Sequence, residues 1–127
     1  MIFELKLSWP DRTLSPNARP FWAVKARAAK KARREAHFET IKALGSFASL
    51  SRPRRWKVKE VFIHYTFVPP DRRGRDDDNL IASMKPYRDG IAQALGVDDV
   101  VFHTAGADFD KPHRPAHVIV TVEVITK

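Results

Sequence analysis

The segment from Trp56 to Val68 constrains the fold most, because it carries apolar side chains on both of its faces. Phe62 lies on one face, and the apolar residues that alternate on the other are Val61, Ile63, Tyr65 and Phe67. A strand that is covered on both sides belongs inside a sheet rather than at its edge. Pro69-Pro70 follows and ends the strand, because proline cannot donate to the hydrogen-bond ladder. The segment therefore predicts a central strand.

Two other segments alternate apolar and polar residues with the two-residue period of a half-buried strand. Ile2 to Ser8 opens the chain in this way, and His117 to Thr126 closes it with valine at every second position from Val118 to Val124. Both segments are predicted to place their apolar face on the core.

A long helix is predicted from Phe21 to Leu44, which is rich in the helix formers Ala, Lys, Arg and Glu. Apolar residues cluster at its two ends and are expected to contact the core there: Phe21, Trp22, Val24, Phe38, Ile41 and Leu44. Between them the helix would expose a cationic surface.

A second helix is predicted after Asn79, because apolar residues recur at helical spacing from Leu80 to Leu95. Gly96 is suited to end it. Pro86 removes a helical hydrogen bond, so the helix is kinked there or starts anew.

The remaining segments, Pro10–Pro20, Gly45–Arg55 and Gly106–Pro115, are predicted loops. With 127 residues, of which 43% are hydrophobic, the chain is expected to form one domain over residues 1–127. The predicted fold class is α+β, a single two-layer domain with a small mixed β-sheet packed against two main helices.

Composition excludes several function classes. There are no cysteines, so a disulfide framework, a thiolate zinc site and a cysteine nucleophile are ruled out. No apolar run approaches the roughly 20 residues that span a bilayer, and no signal-peptide core is present. We therefore expect a soluble cytoplasmic protein with no membrane partner.

The charge points to a polyanionic partner, since 23 Lys and Arg face 15 Asp and Glu for a net charge of +8. Thirteen of the cationic residues lie between Arg19 and Lys59, against only Glu35 and Glu39. Contact with a DNA backbone and an ordinary solvated helix face both remain open. The candidate DNA-binding residues are Lys25, Arg27, Lys30, Lys31, Arg33, Arg34, Arg72, Arg73 and Arg75.

Asp76, Asp77 and Asp78 are three consecutive carboxylates, which repel one another unless a cation binds them. Hard divalent cations such as Mg²⁺ take oxygen ligands of this kind. In an extended segment Asp76 and Asp78 would share one side while Asp77 faces away, and Asp98 or Asp99 could complete the site. The alternative is a helix N-terminus, where carboxylates accept hydrogen bonds from free N–H groups.

The acidic pattern resembles the signature of the RusA-type Holliday junction resolvases. It consists of Asp76-Asp77-Asp78-Asn79-Leu80, then Lys85, Asp89-Gly90-Ile91 and Leu95-Gly96-Val97-Asp98-Asp99. The similarity extends over nearly the whole chain, including Ser15-Pro16-Asn17 and the basic helix. It implies a RusA-like fold and a homodimeric endodeoxyribonuclease of phage or prophage origin. Such enzymes resolve four-way DNA junctions during recombination and repair in a bacterial host.

The same resemblance implies which residues act. Asp76, Asp78 and Asp99 would be the catalytic carboxylates that bind Mg²⁺, for which Mn²⁺ should substitute. Whether one ion or two are bound is left open. Asp98 would be an outer partner or an alternative ligand, and Asn79 would hydrogen-bond a ligating carboxylate or cap the helix.

Lys85 is implied as a further catalytic residue, although its spacing departs from the family pattern. That pattern has a lysine four residues after its second aspartate, where this chain has Ala82. An insertion of about three residues, close to one helical turn, would reconcile the two. Asp89 follows Lys85 by four residues and is expected to pair with it.

Two other functions remain open, a nuclease selective for flaps or forks and a non-catalytic DNA-binding module. The five histidines, His37, His64, His103, His113 and His117, show no metal-ligand spacing. Trp22 and Trp56 are expected to be core or dimer-interface anchors rather than base-stacking platforms.

Overall fold

The computed structural model describes residues 1–45 and 57–127. The strands are β1 (Ile2–Ser8), β2 (Val58–Val68), β3 (Phe102–Phe109) and β4 (His117–Thr126). The helices are α1 (Trp22–Gly45), α2 (Asp77–Ser83) and α3 (Lys85–Leu95), and short 3-10 turns lie at Arg12–Leu14 and Asp99–Val101. Trp56 and nearly all of the predicted loop Gly45–Arg55 lie outside the described residues.

The four strands form one mixed sheet in the order β1-β4-β2-β3. β4 pairs antiparallel with both β1 and β2, whereas β2 and β3 are parallel. Because parallel strands cannot be joined by a hairpin, the chain crosses from β2 to β3 through α2 and α3. The predicted small mixed sheet and the central position of β2 are both confirmed.

One face of the sheet carries the core. The alternating apolar residues of β1, β2 and β4 are buried, including Leu5, Ile63 and Val120. Met84, Tyr87, Ile91 and Leu95 lie against them from the crossover, as their helical spacing predicts. The predicted two-layer α+β architecture is therefore confirmed.

The packing of α1 confirms the predicted core contact for Leu44 but not for the other large apolar residues at its two ends. Trp22 is 76% exposed and Phe21 73%, and Val24, Phe38 and Ile41 are exposed as well. The buried positions of α1 are instead small residues at four-residue intervals, Ala32, Ala36 and Thr40, followed by Leu44. Small side chains form the contact because α1 approaches the backbone of α3 closely at Gly90.

Ser8, the last residue of β1, ties the sheet to both helices. The Glu35 carboxylate of α1 accepts hydrogen bonds from the Ser8 backbone N–H at 2.7 Å and from its hydroxyl at 3.0 Å. Tyr87 of α3 donates to the Ser8 carbonyl at 3.0 Å. The orientation of the helix pair on the sheet is thereby held by polar contacts as well as by packing.

The prediction that Gly106–Pro115 is a loop is wrong for its first four residues, which belong to β3. β3 is an edge strand with exposed polar residues and lacks the alternating pattern of the other strands. Its register on β2 shifts between Ile63 and His64, and Gly106 lies opposite His64. A Cβ at Gly106 would be 3.2 Å from the His64 ring.

Helix formation is interrupted at Met84. Of the two outcomes predicted for Pro86, a kink or a new helix, the structure shows a new helix. Met84 ends α2 with ψ near −2°, and α3 begins at Lys85 with the proline in its first turn. Gly96 ends α3 in the left-handed conformation, as predicted.

No helix in residues 1–45 or 57–127 combines the length and apolar character needed to cross a bilayer.

Replacing Gly90 with Ala should destabilise the protein strongly. The new methyl would lie 2.2 Å from the Arg33 carbonyl oxygen and 3.0 Å from the Ala36 Cβ, so α1 and α3 would have to separate. We expect a loss of about 1–3 kcal/mol in the free energy of unfolding, measured by urea denaturation. Gly74→Ala is the matched control, because nothing lies within 4 Å of a methyl there. Equal stability of the two variants would contradict the close contact.

Candidate metal centre

The acidic cluster Asp76–Asp78 lies at the N-terminus of α2. Asp76 caps the helix, and its Oδ1 accepts hydrogen bonds from the backbone N–H groups of Asp78 at 2.9 Å and Asn79 at 3.3 Å. The expectation of an extended segment is therefore wrong, because α2 starts at Asp77. Both hydrogen bonds use Oδ1, which leaves Oδ2 of Asp76 available to a cation.

The helical start brings all three carboxylates together. One oxygen from each of Asp76, Asp77 and Asp78 lies within 4.8 Å of the others, and all three residues are exposed. Asp77, which was expected to face away, thus belongs to the same group. Among the described residues, no other set of three or more acidic or histidine side chains converges in this way.

Lys85 and Asp99 form a second part of the candidate site. The Lys85 ammonium lies 2.7 Å from the Asp89 carboxylate and also contacts the Asp99 carboxylate. The predicted Lys85–Asp89 pair is therefore present. Asp99 is not a member of the converging group, so the structure joins Asp99 to Lys85 rather than to Asp76 and Asp78.

This ion pairing shifts the ionisation of its members. Hydrogen bonding from Lys85 holds the pKa of Asp99 below its ordinary value. The hydrogen bonds to Asp89 and then Asp99 raise the pKa of Lys85. Both shifts favour the charged forms, so Lys85 is a cation fixed between two carboxylates at neutral pH.

Asp98 and Asn79 have local structural roles. The Asp98 carboxylate caps the 3-10 turn that follows it and accepts a hydrogen bond from the Val100 N–H at 3.2 Å. Asn79 contacts the predicted ligand Asp76 through its backbone N–H rather than through its side chain. The Asn79 side chain borders a cleft of about 230 Å³ that Asp76 and Trp9 also line.

The three arginines before the cluster differ in their accessibility. The Arg75 side chain is only 15% exposed, lies 2.8 Å from the Asp71 carboxylate and stacks 5.6 Å from the Trp9 ring centre. It also donates to the carbonyls of Asp71 and Arg73. Arg75 thus shapes the loop, whereas Arg72 and Arg73 are exposed, with the Arg73 guanidinium 3.7 Å from the Asp71 carboxylate.

The cationic residues of α1 face two clefts. Lys25 and Arg33 line one of about 360 Å³ together with Lys85 and Asp89. Arg33 also borders the other, of about 310 Å³, with Lys30 and Arg34. Arg27 and Lys31 are exposed on the same helix. The first cleft connects the basic helix directly with the candidate catalytic lysine.

Arg88 was not identified from the sequence, although it follows Lys85 by one helical turn. It donates to the Thr104 hydroxyl at 2.9 Å, and its guanidinium lies 5.8 Å from the Phe102 ring centre. Its charge also contributes to the lowered pKa of Asp99. The sequence signal that could have identified Arg88 is its spacing of three residues from Lys85, which places the two side chains next to each other on a helix.

Two histidines form acid–base pairs on the β2–β3 edge, His64 with Asp108 at 2.9 Å and His103 with Glu60 at 3.7 Å. Each pair offers only two side chains, fewer than the three or four protein ligands that a zinc site uses.

The prediction that Trp22 is a core anchor is wrong within the single chain, because its side chain is exposed.

Comparison with known proteins gives one sequence relative. Over 124 residues the chain is 39% identical to an uncharacterized protein of Xylella fastidiosa (strain Temecula1 / ATCC 700964), an alignment that covers 98% of this chain and 78% of that protein. The chain belongs to the family of that protein. The relationship assigns no activity to this family.

No family model matches the chain. Among solved structures, the chain aligns with PurLQS from Thermotoga maritima at 11% identity and a TM-score of 0.36. The alignment covers 98% of this chain and 18% of that one, so the chain spans under a fifth of its length. A likeness this slight carries no argument about function.

Replacing Lys85 with Met should raise the pKa of Asp99 toward its ordinary value, because the main cause of the shift is lost. Carboxyl resonances followed by NMR during a pH titration would measure the change. Lys6→Met, which removes an exposed charge from β1, should leave Asp99 unaffected. An unchanged Asp99 titration in Lys85→Met would contradict the ion pair.

The same pair predicts the direction of a pH effect on stability. The pKa of Asp99 is lower in the folded protein than in the unfolded chain. Its contribution is therefore complete above the unfolded-state pKa and is lost as the pH falls through the folded-state pKa. Lys85→Met should weaken this acid-dependent loss.

Proposed function

We propose that this protein is a divalent-metal-dependent endodeoxyribonuclease that hydrolyses phosphodiester bonds in branched DNA. Its substrate would be the Holliday junction, in keeping with the resemblance to RusA-type resolvases. The observation that carries the proposal is the convergence of Asp76, Asp77 and Asp78 within 4.8 Å on a chain of net charge +8. A bound cation would relieve the repulsion among these three carboxylates.

The donor set suits Mg²⁺. This ion takes carboxylate oxygens as ligands, and one oxygen from each of Asp76, Asp77 and Asp78 lies within 4.8 Å of the others. Asp76 and Asp78 are the proposed ligands, Asp77 is a third candidate, and Mn²⁺ should substitute because it also prefers oxygen.

When bound, the metal would neutralise charge on the phosphoryl oxygens and favour deprotonation of the attacking water. Lys85 supplies the second positive charge. Asp89 orients its ammonium, and the low pKa of Asp99 keeps that carboxylate ionised. Only Oδ2 of Asp99 contacts Lys85, so Oδ1 would be the oxygen with which Asp99 serves as a ligand.

The cleft lined by Lys25, Arg33 and Lys85 is the proposed route of the DNA backbone. Lysine and arginine neutralise phosphates along a strand without reading its sequence. The arrangement leads a phosphate from the basic helix to Lys85. It therefore supports a nuclease that recognises DNA shape.

Junction resolution would require two matched cuts on a nearly two-fold symmetric substrate. A homodimer would present the same acidic site twice. The proposal accordingly includes a homodimer that acts in the bacterial cytoplasm, with phage or prophage origin. A nuclease selective for flaps or forks would use the same groups on a different DNA shape.

A second candidate function is a non-catalytic DNA-binding module. It is favoured by the structural use of the acidic residues, because Asp76 caps α2 and Asp99 pairs with Lys85. In this case the carboxylates would order the loop and helix, and only the cationic clefts would contact DNA. Metal-dependent cleavage distinguishes the two functions.

Asp78→Asn should abolish cleavage of a synthetic four-way junction in Mg²⁺ or Mn²⁺. Removing a ligand costs several kcal/mol of transition-state stabilisation, or at least about 100-fold in rate. Binding measured in Ca²⁺ should persist or tighten, because a charge that repels phosphate is lost. Glu4→Gln, an exposed carboxylate on β1, is the matched control and should cleave normally.

Paired symmetric nicks that disappear in Asp78→Asn and with EDTA would establish the resolvase. Binding without cleavage by the unmodified protein would favour the module. Cleavage of flaps or forks in preference to the junction would favour the alternative nuclease.

Neutralising Lys30, Lys31, Arg33 and Arg34 together should weaken junction binding and flatten its salt dependence. If all four contact phosphates, the slope of log K against log salt should fall by up to about 3.6. Binding titrations at several salt concentrations would measure it. Neutralising Lys6, Lys57, Lys59 and Lys127 changes the net charge equally and serves as the control. The same slope in both variants would show that α1 does not contact the backbone.

A further inference from the structure

A cleft of about 540 Å³ lies between the loop after β2 and the end of β3. The loop contributes Arg72 and Arg73, and the other wall contributes Phe109 and Lys111. Arg75 borders the cleft as well, and the acidic cluster begins at the next residue. The cleft is therefore adjacent to the candidate metal centre but has no part in the chemistry proposed above.

The walls of the cleft are fixed by hydrogen bonds. The Asp110 N–H donates to the Phe67 carbonyl at 2.9 Å, and the His113 N–H donates to the Pro69 carbonyl at 2.9 Å. On the other side, an ion pair fixes the loop, with the Arg75 guanidinium 2.8 Å from the Asp71 carboxylate. These contacts form the cleft before any ligand binds, which reduces the ordering cost of binding.

Phe109 presents an aromatic surface in this cleft. Its side chain lies against the fully buried Phe67, with ring centres 5.6 Å apart and an angle of 35° between the rings. The residue is nevertheless 46% exposed. A ring supported from behind and open in front is a platform on which a planar group can stack.

The charges around Phe109 select an anionic ligand. The Asp71 carboxylate is already paired with Arg75, and hydrogen bonds to the Arg73 N–H and to Arg75 hold its pKa below the ordinary value. Arg72, Arg73 and Lys111 are exposed at the rim. Asp110 is the other acid that lines the cleft, and its carboxylate accepts a hydrogen bond from the Lys111 N–H at 2.7 Å. With Arg75, the lining carries four cations against two carboxylates. A planar ring next to cations is the combination that binds single-stranded nucleic acid.

We propose that this cleft binds one unstacked nucleotide of a DNA strand, with the base on Phe109 and its phosphate at Arg72, Arg73 and Lys111. The inference rests on the DNA-binding part of the proposed function and not on metal-dependent cleavage. It specifies the substrate further, because DNA with an unpaired nucleotide at the branch should bind more tightly than fully paired DNA. The nucleotide would lie next to the acidic cluster.

The test uses the full chain in Ca²⁺ and a forked DNA with 2-aminopurine as the first unpaired base. Stacking on Phe109 should quench the aminopurine fluorescence. Phe109→Leu keeps an apolar side chain but removes the ring, and should weaken binding of this DNA by about 5-fold to 150-fold, the range for one base–aromatic stack. Binding of a paired duplex of equal length should not change.

Phe109→Trp should retain both the quenching and the affinity, because it restores a ring. Phe38→Leu, which alters an exposed phenylalanine on α1, is the matched control and should behave as the unmodified protein. Unaltered aminopurine fluorescence on binding of the unmodified protein would overturn the proposal, even if Phe109→Leu failed to fold. Equal affinity of Phe109→Leu and the unmodified protein for the fork would also overturn it.

The two proposals fail separately. Cleavage in Mg²⁺ without any effect of Phe109→Leu on binding would overturn the nucleotide subsite and leave the nuclease. Quenching that depends on Phe109, without cleavage in any divalent metal, would support the subsite and overturn the nuclease. Absence of binding to every DNA tested would overturn the subsite.

Discussion

The close approach of α1 and α3 at Gly90 is the contact on which the arrangement of charges depends. A side chain at this position would meet the backbone of α1 at 2.2 Å, so only glycine allows the two helices to lie at this distance. On α1, the Ala36 Cβ would lie 3.0 Å from such a side chain's Cβ, and Ala32 is buried one turn earlier. Because the buried side of α1 uses small residues, its long cationic side chains are free to line the clefts beside α3.

The packing of α1 on α3 places oppositely charged side chains next to one another. Lys25 and Arg33 of α1 share a cleft with Lys85 and Asp89 of α3, although they are far apart in the chain. The acidic cluster lies one short helix before Lys85, and the Asp99 carboxylate reaches Lys85 from the turn after α3. In the proposed function, attraction of a polyanion and binding of a cation would therefore use separate surfaces.

The acidic residues combine structural and proposed chemical roles. Asp76 satisfies two N–H groups at the start of α2 through one carboxylate oxygen, and the other oxygen remains for a cation. Capping and metal binding are therefore compatible at a single side chain. Asp99 likewise uses one oxygen, Oδ2, in its contact with Lys85, but it lies outside the converging group of Asp76, Asp77 and Asp78.

Elements whose side chains repeat with a clear period could be predicted from the order of residues along the chain. The alternation in β1, β2 and β4 and the helical spacing from Leu80 to Leu95 were sufficient to predict a mixed α+β domain, the break near Pro86 and the Lys85–Asp89 pair. These features depend on local periodicity and on interactions within one helix, which are both visible along the chain.

The remaining features arise from contacts between residues that are distant along the chain. β3 has no alternation to detect, because none of its residues after Phe102 is buried. The alanine contact of α1 depends on Gly90, more than fifty residues away in sequence, so composition favoured the large apolar residues that turned out to be exposed. The pairing of Asp99 with Lys85, and the position of Phe109 beside Arg72 and Arg73, likewise follow from a crossover that places distant residues side by side. Such contacts depend on how the elements pack, which no local pattern specifies.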